Sequence, residues 1–120
     1  MTLVDTTVWV HHLRSGNRTL VSLLESAEVL THPFVIGELA CGHIRNRREI
    51  LALLDVLPGA VVAGHEDALA FVEAGRLSGK GIGWIDVHLL ASARLSNARL
   101  LTMDKPLLRA AALAGVETLD

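Results

Sequence analysis

The sequence predicts an α/β domain in which a parallel sheet is covered by helices on both faces. Short apolar, strand-like segments alternate with helical ones along the whole chain, the pattern of successive βα units. Of the 120 residues, 51% are hydrophobic but only 3% aromatic, and Tyr is absent, so Leu, Val, Ile and Ala must fill the core. A chain of this length buries a proper core. No repeat, low-complexity stretch or long linker divides it, so residues 1–120 read as a single domain.

Residues 2–5 read as a short buried strand, after which Thr6 or Thr7 can cap a helix running to about Arg14. Ser15-Gly16-Asn17 breaks that helix, and a second covers roughly Thr19 to Ser26 with Leu20, Leu23 and Leu24 on one side. Glu28 to Thr31 is strand-like. Pro33 suits the first turn of a helix, where its missing N–H costs nothing, and that helix carries Glu38. Ile50, Leu51, Leu54 and Leu57 fall at helical spacing within Arg47 to Leu57, and Pro58-Gly59 stops the run. Ala60 to Ala63 reads as a strand and Glu66 to Leu77 as a helix. Ser78 to Gly83 is a glycine-rich loop without the Walker pattern that would mark a phosphate cradle. A helix over Trp84 to Asn97, a strand over Arg99 to Thr102, a helix opened by Asp104 and Pro106, and a short strand over Val116 to Leu119 complete the order.

Composition excludes several classes. The lone Cys41 rules out an internal disulfide and a cysteine zinc cluster. No apolar run reaches the ~18 residues of a membrane span. The N-terminus enters a strand without a basic, cleavable leader, so a cytosolic protein with no membrane partner is expected. The net charge of −2 lacks the basic footprint of a nucleic-acid binder. Four acids at one site change that balance, because the remaining nine acids face eleven Lys and Arg. A polynucleotide would then be recognised by shape or over a small site.

Those four acids are Asp5 in V-D-T-T-V-W, Glu38 in I-G-E-L-A-C-G, Asp86 in I-G-W-I-D-V-H-L-L-A-S-A and Asp104 in L-L-T-M-D-K. Each stands where a strand ends or on a short helix, and ligands bind at the carboxyl ends of the strands of a parallel sheet. Clustered carboxylates repel, so the group calls for a cation or raised pKa values. Mg²⁺ or Mn²⁺ takes such oxygen donors and would hydrolyse a phosphodiester without a protein nucleophile. Singly, each acid has a plainer reading: Asp5, Asp86 and Asp104 can serve helix N-termini, and Glu38 can be a helix charge, although its neighbours Val35, Ile36, Leu39 and Ala40 are apolar. Thr102 and Thr6 are secondary candidates for orienting a water or a phosphate oxygen. The histidines show no HxxxH spacing and read as surface or packing residues. Arg45, Arg47 and Arg48 form the densest basic patch, read equally as phosphate contacts or a solvated helix start.

The four blocks, in this order and over nearly the whole chain, resemble those of PIN-domain ribonucleases of the VapC toxin type. The resemblance implies a three-layer α/β/α sandwich with a central parallel sheet. It also implies that Asp5, Glu38, Asp86 and Asp104 hold one or two Mg²⁺ or Mn²⁺ ions, with Thr102 as a helper. By the same resemblance the protein is a toxin of a type II toxin–antitoxin system that cuts RNA endonucleolytically. It forms a homodimer, or a higher toxin–antitoxin assembly, and is inhibited by a cognate VapB-type antitoxin. Two other readings compete: a PIN module that binds without cutting, and a receiver domain phosphorylated on Asp. The receiver needs an acidic pair after the first strand, where Thr6 and Thr7 follow Asp5.

Overall fold

The computed structural model describes residues 1–119. Three short parallel strands form the sheet: β1 (Thr2–Val4), β2 (Val29–Leu30) and β3 (Arg99–Leu101), in the order β2-β1-β3. Leu3 pairs with Leu30 on one side and Leu100 on the other. All three residues of β1 are buried. Successive strand residues point to opposite faces, so both faces of the sheet are covered, as continuous T-L-V and R-L-L runs without alternation require.

Seven helices among the described residues do the covering: α1 (Thr6–Ser15), α2 (Arg18–Glu25), α3 (Pro33–Cys41), α4 (Arg47–Val56), α5 (His65–Gly75), α6 (Trp84–Leu95) and α7 (Lys105–Ala114). The most enclosed is α6, buried without interruption from Val87 to Ala93, with small residues at Ala91, Ser92 and Ala93. Its end and that of α2 are built alike. Asn97 and Ala27 take the left-handed conformation (φ 51° and 54°). The next residue's N–H returns to Ala93 and Leu23 respectively, the closure that turns a helix directly into a strand.

Neither the strand expected over Ala60 to Ala63 nor that over Val116 to Leu119 forms: single parallel bridges stand instead at Gly59, just before the first, with Thr31, and at Thr118, within the second, with Leu100. Residues Val61 and Val62 are exposed, and the N–H of Val61 goes to the Ser96 hydroxyl at 2.9 Å instead of a strand partner.

Chain direction fixes where a ligand can enter. From β1 the chain moves to β2 on one side and returns through α6 to β3 on the other. The sheet therefore reverses its winding between β1 and β3, and the crevice beyond their carboxyl ends is the place such folds use for ligands. Asp5 follows β1 there, and Thr102 to Asp104 follow β3.

Candidate functional site

Asp5 is both the anchor of this crevice and the N-cap of α1. Its Oδ1 accepts the Thr6 N–H at 2.8 Å, and its Oδ2 accepts the hydroxyls of Thr7 and Thr102, each at 2.7 Å. Asp5, and not Thr6 or Thr7, thus caps the helix. A carboxylate offers about four lone-pair sites. Oδ2 has used both of its own, which leaves Oδ1 one for a further partner.

The two threonines tie the strand ends together. Thr102 accepts the Asp104 N–H at 3.0 Å, and Thr7 accepts the Met103 N–H at 3.1 Å. Thr102 is buried and spends its proton on Asp5, so it positions a carboxylate and does not face a water or phosphate as the sequence suggested. Thr7 plays the same part and was missed as a site residue. The only hint in the sequence is its position two residues after Asp5, where a hydroxyl commonly returns to an Asp.

Glu38 projects from α3 and accepts the Thr6 hydroxyl at 2.8 Å. It is exposed, contrary to what its apolar neighbours suggest, because Val35 and Leu39 take the buried side of α3. That helix starts on His32, whose Nδ1 accepts the Phe34 N–H at 3.0 Å, with Pro33 in the first turn. Nδ1 being the acceptor, Nε2 carries the hydrogen and donates to the Ser92 hydroxyl at 3.1 Å. Burial, with the nearby His88 second, lowers the pKa of His32 from 6.5 to about 4, so at neutral pH it is an uncharged cap.

Asp86 lies in the first turn of α6, half-buried, and accepts the Gly83 N–H at 3.3 Å. Its pKa is raised above the ordinary 3.8, first by burial and then by the charges of Asp5, Asp104 and Glu38, against a lowering by the Gly83 N–H. Asp104 precedes α7 as its N-cap residue but makes no side-chain capping bond. Because Asp86 stands in a helical turn and not at a mid-sheet strand end, the receiver reading fails.

Asp5, Thr6, Thr7, Val10, Glu38, Asp86 and Asp104 line one pocket of 350 Å³. Three of its four acids sit at helix N-termini (α1, α6 and α7), whose partial positive charge favours carboxylates. Among the described residues no three His, Cys, Asp or Glu side chains stand ready as a metal cage. A tight tetrahedral site for zinc is therefore absent among them. A hydrated Mg²⁺ or Mn²⁺ needs only one or two direct carboxylates and keeps several waters, and that the acid-lined pocket can accommodate. A larger pocket, 590 Å³ between α5, α6 and α7, is lined by Phe71, Arg94 and Leu113 with Asp67 as its one acid. Chemistry and not size therefore singles out the smaller pocket.

Comparison with known proteins gives the same direction. The PIN domain family matches residues 2–113. The chain is 46% identical over 117 residues to "Ribonuclease VapC32" of Mycobacterium tuberculosis strains CDC 1551 / Oshkosh and H37Rv, covering 97% of this chain and 94% of the relative. Among solved structures it is similar to FitAcB from Neisseria gonorrhoeae, with a TM-score of 0.67 at 20% identity, over 100% of this chain and 97% of that one. PAE2754 from Pyrobaculum aerophilum gives a TM-score of 0.59 at 15% identity, over 91% and 78%. At these identities the structural likeness bears on the fold alone.

Proposed function

This chain belongs to the PIN-domain family, in its VapC ribonuclease branch, and from that premise we propose that it is a toxin endoribonuclease whose acid-lined pocket cleaves RNA with one or two Mg²⁺ or Mn²⁺ ions. The observation that carries the assignment of the pocket is its lining, where Asp5, Glu38, Asp86 and Asp104 meet with no Lys, Arg or His beside them. Four carboxylates that feel one another without a basic partner form a donor set for a divalent cation. Asp5, Glu38 and Asp86 would hold it, one or two of them directly and the rest through its waters, and Asp104 would hold a second ion or a water of the first. Thr7 and Thr102 fix the orientation of Asp5, and Thr6 that of Glu38. When bound, the cation polarises the phosphoryl group and acidifies the attacking water.

The family also supports partners. We read RNA as the substrate, unpaired where it is cut because bases are then accessible, a VapB-type antitoxin as inhibitor, and a homodimer as the assembled form. No helix among the described residues is long and apolar enough to cross a membrane.

Asp5→Asn tests the reading. Asn keeps an oxygen for the Thr6 N–H and remains a good cap, so the variant folds, at a cost of about 1 kcal/mol for the altered threonine bonds. Metal-dependent RNA cleavage is expected to be abolished. A folded Asp5→Asn protein that cuts RNA in Mg²⁺ or Mn²⁺ as fast as the parent refutes the assignment, and cleavage that survives a chelator refutes the metal.

A further inference from the structure

Three pockets run end to end along α1. The acidic pocket shares Thr7, Val10 and Asp104 with a second of 450 Å³, which adds His11 and Arg14. The second shares Val10 and Arg14 with a third of 430 Å³, which adds His43, Ile44 and Arg45 from the segment between α3 and α4. Thr7, Val10, His11 and Arg14 have the spacing i, i+3, i+4, i+7, so they form one stripe on the helix. The stripe starts at Asp5's own hydroxyl partner and ends on a guanidinium. At ~1.5 Å per residue, Thr7 to Arg14 spans about 10 Å.

Charge is sorted along this path. Asp104 is the one acid in the second pocket, and none lines the third. The basic patch after α3 is divided by the fold. Arg47 gives Nε and Nη2 to the Ala40 carbonyl at 3.1 and 2.9 Å and so closes the end of α3, whereas Arg45 lines the groove. A chain of net charge −2 thus presents a short positive track that leads away from its carboxylates.

We propose that this track binds the phosphodiester backbone of the RNA flanking the scissile bond, with Arg14 and Arg45 as its phosphate contacts and Val10 as its floor. The inference rests on the acidic pocket being the RNA-cleaving site and adds to it residues that hold substrate without touching the reacting atoms. Guanidinium groups suit phosphate through paired donors, and two of them give a small binding site that bulk charge conceals.

The test is the affinity of the full-length Asp5→Asn protein, without divalent metal, for a fluorescent unstructured oligoribonucleotide of about a dozen nucleotides. Anisotropy is followed against salt. Arg14→Ala and Arg45→Ala are each expected to weaken binding several-fold and to flatten the slope of log K against log[salt] by ~0.7, one phosphate's worth on a single strand. Lys at either position should restore the slope, and Arg109→Ala on α7 should leave affinity and slope unchanged. With Asp5 intact, the same substitutions should raise KM and spare kcat. Binding and slopes in Arg14→Ala and Arg45→Ala equal to those of Arg109→Ala overturn the track, as does a parent protein with no measurable binding. If the parent still cleaves with metal, the nuclease reading stands without the track. If it binds through the arginines but cuts no RNA, that reading falls and the track remains.

Discussion

Thr102→Val removes one hydroxyl from the crevice and leaves the side-chain shape almost unchanged. The lost hydroxyl makes two bonds in opposite senses: it donates to Asp5 Oδ2 at 2.7 Å and accepts the Asp104 N–H at 3.0 Å. A bond to an ionised group contributes about 1.5–3 kcal/mol, and a neutral N–H left short of an acceptor costs about 1 kcal/mol. Asp5 keeps Thr7 and the Thr6 N–H, so the expected loss is about 2–4 kcal/mol, or roughly 10 °C in Tm for a chain of this size. Thr102→Ser is the informative control, since it keeps both bonds and loses one buried methyl, about 1 kcal/mol. Chemical denaturation of the three metal-free proteins should rank them Thr, then Ser, then Val. A Val variant as stable as the Ser variant would refute the claim that hydroxyls hold the ends of β1 and β3 in register.

Three further outcomes follow from the same geometry. His32 has a pKa below its unfolded value, so its contribution is complete above the ordinary histidine range and is lost as pH falls from 6.5 toward 4. Denaturant titrations should show about 3 kcal/mol of stability lost over that window, and His32→Asn, which keeps an N-cap acceptor, should flatten the slope relative to the parent. Ala27→Gly relieves a left-handed residue (φ 54°) and is expected to raise stability by about 1 kcal/mol, checked by calorimetry; a lower Tm contradicts it. Asp86→Asn should stabilise the metal-free protein by up to about 1 kcal/mol, since it removes a half-buried charge among like charges, while abolishing cleavage; an unfolding curve unmoved or shifted downward counts against the repulsion.

Legibility in the sequence followed how local each cause is. The strands were read to within a residue because a strand buried on both faces writes itself as an apolar run. Ala60 to Ala63 and Val116 to Leu119 write the same run, but too few partners reach them, and Ser96 captures the N–H of Val61. Glu38 was placed on the correct helix but given the wrong environment, because identity of neighbours in sequence says less than the face they occupy. The stripe Thr7, Val10, His11 and Arg14 was present in the spacing all along. Its meaning depends on the segment from His43 to Arg45 lying across from it, which only the tertiary fold supplies. In D-T-T, three residues compete to cap α1, and the contest is settled 97 positions away, where Thr102 claims Asp5 Oδ2.

The acids show how a fold can assemble like charges before any cation arrives. Three of the four begin or precede helices, so aligned peptide dipoles offset part of their repulsion at its source. Hydroxyls from Thr6, Thr7 and Thr102 offset more, each as a donor that brings no positive charge of its own. An arginine would neutralise the pocket more fully, but it would occupy the place of the cation. Donors without charge stabilise the carboxylates and leave the field that attracts Mg²⁺ or Mn²⁺ intact. The remainder of the cost falls on Asp86, the half-buried member, whose pKa is raised first by burial and then by the charges of Asp5, Asp104 and Glu38. In the proposed site a divalent ion would favour the ionised carboxylate, so cation binding would be linked to the titration of Asp86. Arg14 and Arg45 stand outside the acidic pocket, further along the same groove. With the two signs separated along α1, a weakly acidic protein would attract a cation at one end of the groove and, as proposed, a polyanion at the other.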